Sequence, residues 1–457
     1  MRMKLVARLA VACSLLALAP GMAQAQALSA EEAATLRAEV AALKAQLSAM
    51  ESRLNNISAQ TEANSTAIAT APKPAPAPEP ETTVKWKGAP ELSTKSGWSF
   101  KVRGRMQFDA GHVDAPSSID EDGLGFSSEL RRAYVGVQGT MPGGFGYKAE
   151  VDLADNEVEW TDIYLTYDHD GKNVTVGQHY PFLSLEQMTS DLFTSFTERA
   201  AFTGAFNFER RVGLSGGYAK GDLMVNAGVF TDNVADLTDD GNKSYSVDGR
   251  LVWMPKLGDA QLHLGASAHW RDLNSSLADA GSRYRVRPFV HSTDVRFIDT
   301  GTLNVSKEAN YGLEAAIVSG RLHAAAEGNW LRASRPGLSD PTFFGGYAEV
   351  GYFLTGGDTR GYKAGAFDRI KPSNPVGKGG IGAIQLNLRY DYLDLVDAGI
   401  IGGKQNGYAA SLIWVPIDYL KFMINYGHME YDQARVTAGG DDSYSADVIG
   451  ARAQLDF

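Results

Sequence analysis

The sequence predicts an all-β fold: a 16-stranded antiparallel transmembrane β-barrel with an N-terminal periplasmic α-helical coiled coil. Three observations lead there. From Trp98 to Phe457 the chain runs in sixteen segments of alternating apolar and polar residues, each about the 9–11 residues a tilted strand needs to cross a bilayer. Tight turns alternate along it with longer links, as they do when strands run up and down between two membrane faces. Beyond the N-terminus no stretch reaches the roughly 20 apolar residues of a membrane-crossing helix.

Residues 1–25 read as a signal peptide. Arg2, Lys4 and Arg8 form its basic start and Leu9 to Ala19 its apolar run. Ala23-Gln24-Ala25 or Ala25-Gln26-Ala27 supplies the small-residue cleavage site. The one cysteine, Cys13, lies inside that run, so the mature chain is expected to hold together without disulfides.

Residues 29–70 follow as a helix. Leu36, Val40, Leu43, Leu47, Met50, Leu54 and Ile57 are spaced alternately four and three apart, the seam of a coiled coil. Ser29 and Glu32 form a capping box at its start. A lone helix would leave this seam wet, so self-association is expected, most simply as a homotrimer. Residues 71–97 are a linker. Its first part, Ala71 to Glu81, places proline at alternate positions, which blocks helix and imposes an extended, semi-rigid spacer.

The barrel spans 98–457. In its first strand Phe100, Val102, Met106 and Phe108 share one face, and Lys101, Arg103, Arg105 and Gln107 the other. In the second, Ala133, Val135 and Val137 oppose Arg132, Tyr134 and Gly136. One face suits lipid and the other a watery lumen. The same parity turns Arg211, Arg250, Arg271, Arg389 and Arg452 inward, and one external link adds Arg283, Arg285 and Arg287. Trp160, Trp253, Trp270, Trp330 and Trp414 face outward near strand ends, as in the aromatic girdles that meet outer-membrane lipid. Residues 355–381 form a long link on the side of the short turns and are expected to fold back into the lumen. The last strand closes with Leu455 and Phe457 on its apolar face, the terminal aromatic that outer-membrane assembly machinery reads.

The formal charge is −11, from 43 Lys and Arg against 54 Asp and Glu; without Arg2, Lys4 and Arg8 it is 40 against 54, or −14. Such a chain is no nucleic-acid binder, and any preference for anions must come from where its cations sit. No nucleophile elbow and no metal-ligand spacing occurs, so neither an enzyme nor a cofactor is expected.

Several stretches resemble the phosphate-selective porin O and P family. They are Glu129-Leu130-Arg131-Arg132-Ala133-Tyr134, Pro181 to Ser190 (PFLSLEQMTS), Phe196-Thr197-Glu198-Arg199-Ala200, Phe353 to Asp358 (FLTGGD) with Arg360 and Tyr362, and Gly382-Ala383 opening a strand. The resemblance covers about residue 98 to the end. It implies a trimeric sixteen-stranded channel whose third external loop folds inward and whose arginines coordinate a dehydrated anion. Carried over, it puts Arg131, Arg132 and Tyr134 on the wall of the anion site, Ser190 and Arg199 on the infolded loop, and Asp162 opposite. Gln187 and Asp191 depart from the pattern, where a lysine and a second serine are expected.

An anion that sheds water in a narrow pore needs replacement donors, and the guanidinium fork supplies them while keeping its charge. The expected function is therefore passive diffusion of small anions, phosphate or related oxyanions, across the bacterial outer membrane. Arg131, Arg132, Tyr134, Asp162, Ser190 and Arg199 would form the constriction, with Arg103, Arg105, Arg211, Arg250, Arg271, Arg285 and Arg389 as further lumen candidates. The plainer expectation for any one arginine is an ion pair with Glu150, Asp152, Glu314, Glu327, Glu349 or Asp391. Two other readings are a general, weakly selective porin, and a structural tether that reaches the cell wall through its coiled coil.

Overall fold

The computed structural model describes residues 30–70, 82–154, 157–237, 244–273 and 281–457. The signal peptide, Ser29 of the capping box and the proline run 71–81 lie outside the described residues. The described chain falls into two units, 1–79 and 80–457.

The first unit is one helix, α1 (Ala30–Thr70), of 41 residues. All seven residues of its heptad seam are exposed, from 48 % at Leu36 to 66 % at Leu54. Unburied leucines at that spacing do nothing for a helix on its own; most helix stability comes from packing an apolar face.

The second unit is a closed antiparallel barrel of sixteen strands. In chain order these are β1 (Ser99–Asp114), β2 (Gly125–Met141), β3 (Phe145–Asp152), β4 (Glu159–His169), β5 (Lys172–His179), β6 (Arg211–Lys220), β7 (Leu223–Phe230) and β8 (Tyr245–Trp253). Then come β9 (Ala260–Asp272), β10 (Lys307–Ser319), β11 (Leu322–Ser334), β12 (Thr342–Phe353), β13 (Ala383–Asp397), β14 (Ile400–Ile417), β15 (Leu420–Asp432) and β16 (Tyr444–Asp456). β16 closes on β1, Asp447 facing Asp114 and Asp456 facing Arg105. Closure leaves no open edge, the condition for a sheet in lipid. The all-β class and the strand count are as the alternation predicts. Several strands are longer than 9–11 residues: β14 has 18, its pairing with β13 starting at Ile400 opposite Asp397.

The long links gather at one end, here called external, and the short turns at the other, the periplasmic end. Outward residues such as Phe108, Val135, Leu214 and Ile449 stay exposed, while Gln107, Asn310, Arg389 and Gln454 are buried in the lumen. At the C-terminus Phe457 exchanges main-chain hydrogen bonds with Gly104 at 2.9 and 3.2 Å. A Cβ on Gly104 would come within 2.2 Å of the Phe457 ring, so glycine is what lets the terminal aromatic lie flat there.

Part of the stretch expected to be linker is structured. Thr82–Lys87 and Ala89–Thr94 pair as a hairpin, and its second strand extends the sheet beside β1, Leu92 opposite Phe100.

Two segments fill the lumen, one from each end: the link 180–210 after β5 and the link 354–382 after β12. They meet inside. Arg360 donates to the Phe193 carbonyl, and the Phe367 N–H donates to Thr189 Oγ1 at 3.3 Å. Around them packs a core of Leu185, Phe196, Phe202, Phe289, Phe343 and Phe367.

Candidate functional site

The link 180–210 is moored to one side of the barrel by wall carboxylates. Its short helix α2 (Leu185–Met188) starts at Ser184, whose side chain accepts from the Gln187 N–H at 3.1 Å. The N–H groups of Leu185 and Glu186 donate to Glu327 at 2.9 and 2.6 Å. A second helix, α3 (Ala201–Ala205), has its first N–H donating to Asp391 at 3.0 Å. Ser195 donates to Glu349 at 2.8 Å and Lys421 to the Leu192 carbonyl at 2.8 Å. Glu327, Glu349, Asp391 and Lys421 stand on β11, β12, β13 and β15. Two of these acids, expected to neutralise lumen arginines, instead bind loop main chain; a hydrogen bond to a charged group contributes about 1.5–3 kcal/mol.

Two cavities lie beside this link among the described residues. One of about 370 Å³ lies in the external half, lined by Arg131, Arg199, Arg285, Arg287, His291 and Arg296 among others, with Glu198 and Asp391 as its acids. One of about 630 Å³ lies in the periplasmic half, lined by Lys101, Gln138, Lys148 and Tyr164. Along β2, Arg131 lines the first and Gln138 the second. The inward residues between them are Arg132, Tyr134 and Gly136.

Strict alternation would turn Arg131 toward lipid with Ala133. A β-bulge prevents it: Gln107 pairs with Arg132 while Phe108 pairs with Leu130, leaving Arg131 as the extra residue. The bulge re-aims the side chain, and Arg131 and Arg132 both face the lumen. Arg131 is 3.7 Å from Glu198, and its Nε has no hydrogen-bond partner among the described residues. Arg132 donates to Gln107 at 2.9 Å and holds Asp191 at 2.9 Å.

Asp191 lies at this level of the lumen, against two wall arginines. Arg105 contacts it from β1 and Arg132 from β2. Arg105 also lies 3.6 Å from Glu150, with its guanidinium 4.5 Å over the Tyr134 ring. Burial alone would raise the Asp191 carboxyl, but Arg105 and Arg132 outweigh it and hold it well below the ordinary 3.8. The same contest, burial against Arg131 and His291, leaves Glu198 below its ordinary value.

The remaining candidates separate into paired and free. Asp162 binds Lys148 and, at 2.7 Å, Arg210, whose guanidinium stacks 4.3 Å over Tyr180. Ser190 sits beside Asp191, its Oγ 3.4 Å from that carboxylate. Arg199 lines the external cavity but spends two donors on the carbonyls of Glu186 and Thr189, at 3.0 and 2.7 Å. Arg389 is locked between Glu186 and Glu349 at 2.9 and 2.8 Å and stacks on Phe196 and Tyr347. Arg250 is bound to Glu314 at 2.7 Å and Arg271 to Asp232 at 2.5 Å. Arg103 donates to Gln138 at 2.5 Å. Arg211 is buried, with Nη2 3.3 Å from Glu209 and with Nε and Nη1 making no hydrogen bond among the described residues. Arg285 is exposed in the external cavity, and its guanidinium makes no hydrogen bond or ion pair among the described residues. Gln187 donates to the Phe208 carbonyl at 3.2 Å, inside the loop rather than toward a permeant.

Sequence reasoning missed Arg210 and Arg296. Arg210 stands next to the first residue of β6, and the folded loop turns it onto Asp162. Arg296 sits in the 273–306 link with no periodicity to mark it. Among the described residues no His, Cys, Asp and Glu group fits a metal ion.

The sequence profile described as phosphate-selective porin O and P matches residues 100–457. An uncharacterised protein of Caulobacter vibrioides is 51 % identical over 384 residues, which is 82 % of this chain and 77 % of that one. The outer-membrane channel DcaP of Acinetobacter baumannii has a similar fold, with TM-score 0.50 and 13 % identity over 80 % of this chain and 99 % of its own. So does an anion-selective porin from Comamonas acidovorans, with TM-score 0.50 and 12 % identity over 79 % and 100 %.

Proposed function

The chain belongs to the phosphate-selective porin O and P family, a family of outer-membrane channels, and from that premise we propose that it passes small anions, phosphate or related oxyanions, by passive diffusion. The observation that carries this reading is the external cavity. Five guanidiniums, those of Arg131, Arg199, Arg285, Arg287 and Arg296, line it with the carboxylates of Glu198 and Asp391; Arg287 and Arg296 share Asp294 at 2.8 and 3.9 Å, while the Arg285 guanidinium has no ion-pair partner among the described residues. A concave surface with an excess of one sign of charge focuses the field and concentrates counter-ions, whatever the net charge of the chain. The proposed route leads past a constriction of Arg131, Arg132, Tyr134, Asp162, Ser190 and Arg199.

A general, weakly selective porin is the second reading. It is favoured by Asp191, which neutralises Arg105 and Arg132 where the route narrows.

We further propose the division 1–25 signal peptide, 29–70 coiled coil, 71–97 linker, of which 82–94 is the hairpin that extends the sheet beside β1, and 98–457 barrel, with the helix in the periplasm and the chain a homotrimer. The exposed seam of α1 supports self-association. It is also compatible with a tether to the cell wall, which would show as envelope defects on deleting residues 29–70 while conductance stays normal.

Reversal potential in a potassium chloride gradient tests the main reading. Chloride preference is expected, weakening at high salt as the Debye length falls from about 10 Å at 0.1 M to about 3 Å at 1 M. Potassium preference would overturn it.

A further inference from the structure

We infer that the carboxylate of Asp191 is the chain's own occupant of the oxyanion site at the constriction, and that this residue decides whether the pore holds a tetrahedral oxyanion or merely lets it by. The inference rests on the channel reading and adds a specificity residue to it.

Two guanidiniums on adjacent wall strands, Arg105 and Arg132, converge on one point from the wall, and Ser190 Oγ lies 3.4 Å from the carboxylate. That is the donor set an oxyanion with several acceptor oxygens would use. Asp191 fills the point from the infolded loop and is only 8 % exposed.

It fills it imperfectly. Oδ2 lies 2.9 Å from Arg132 Nε, yet makes no hydrogen bond among the described residues. The planar, tethered carboxylate satisfies the charge of the two arginines better than their hydrogen-bonding directions. A free phosphate must displace a tethered rival whose effective concentration is about millimolar or above. Phosphate therefore passes the wild-type constriction without saturating it.

Replacing Asp191 should uncover the site. The full chain carrying Asp191→Ser is reconstituted in planar bilayers, and chloride current is recorded while inorganic phosphate is added. The expected result is half-block at roughly tenfold lower phosphate than in wild type, the equivalent of one charge-assisted hydrogen bond. Asp191→Asn keeps the bulk without the charge and should give a smaller shift in the same direction. A folded Asp191→Ser channel with wild-type phosphate sensitivity overturns the inference. If that variant does not assemble, an unchanged half-block in Asp191→Asn overturns it instead. The two readings fail separately: potassium preference in wild type sinks the anion channel, whereas the Asp191 assignment falls only with the phosphate series.

Discussion

Arg131 and Arg132 are consecutive residues of one strand, and both point into the lumen. The bulge between Leu130 and Arg132 divides their work. Arg132 is held by Asp191 and Gln107 at 2.9 Å, whereas Arg131 has Glu198 at 3.7 Å, no hydrogen bond to its Nε among the described residues, and lines the external cavity. Arg131→Ala is expected to lower the chloride-to-potassium permeability ratio about fivefold, roughly 1 kcal/mol for one partly screened charge. Arg452→Ala should do little by comparison, because Arg452 is held bidentate by Asp109 at 2.7 and 2.6 Å. Equal effects from the two substitutions, read as reversal potentials, would remove the distinction between loosely and tightly paired arginines.

Arg389 should act on the loop rather than on permeation directly. It joins Glu186 of the loop to Glu349 of the wall and is fully buried. Removing one partner of a buried ion pair costs about 3–5 kcal/mol. Arg389→Ala is therefore expected to loosen the 180–210 link, seen as faster protease cleavage within it and noisier, larger single-channel conductance. A quiet channel with wild-type protease resistance would show that the remaining ties, Glu327 and Asp391 to main-chain N–H groups, suffice without it.

Acid should leave the Asp191 clamp intact. Its carboxyl is held well below 3.8, so the native state binds no extra proton at moderate acidity. A carboxylate with a depressed folded value contributes stability that is present above its unfolded value and lost as pH falls through the folded one. From about pH 7.5 to about pH 4.5 the loop should stay tied to β1 and β2, and selectivity should show no titration assignable to Asp191. A midpoint near the ordinary carboxylate range that disappears in Asp191→Asn would contradict this clamp.

The α1 seam should set oligomer stability and nothing in the barrel. Leu43 and Leu47 are 62 % and 59 % exposed on the single helix, and burying each leucine contributes about 1.5–3 kcal/mol. Leu47→Asp in the full chain is expected to lower the temperature at which the detergent-solubilised oligomer dissociates, while the barrel keeps its heat-shifted gel mobility. Unchanged dissociation would place the subunit contacts elsewhere.

The barrel was legible because its signal is local. Side chains alternate along a strand whatever surrounds it, so Phe100, Val102 and Phe108 already stood opposite Arg103 and Arg105 in the bare sequence. The two-residue turns did the rest, since each reverses the chain in place. The fate of individual arginines was not legible in that way. Arg105 meets a carboxylate 86 positions along the chain, and Arg389 meets one 203 positions back. No period links such residues, and which acid a guanidinium finds depends on which loop folds inward.

What the sequence determined by itself is thus the wall: sixteen strands, their inward and outward faces, and a chain that must close because lipid tolerates no open edge. What only the tertiary structure decided is the charge the lumen presents. The bulge at Arg131 overrode parity, and Glu327 and Asp391 went to loop main chain instead of to arginines. The physical reason is distance. Alternation is fixed between neighbours by the geometry of the backbone, whereas charge neutralisation is settled across the barrel, between groups brought together only once the loops have folded in.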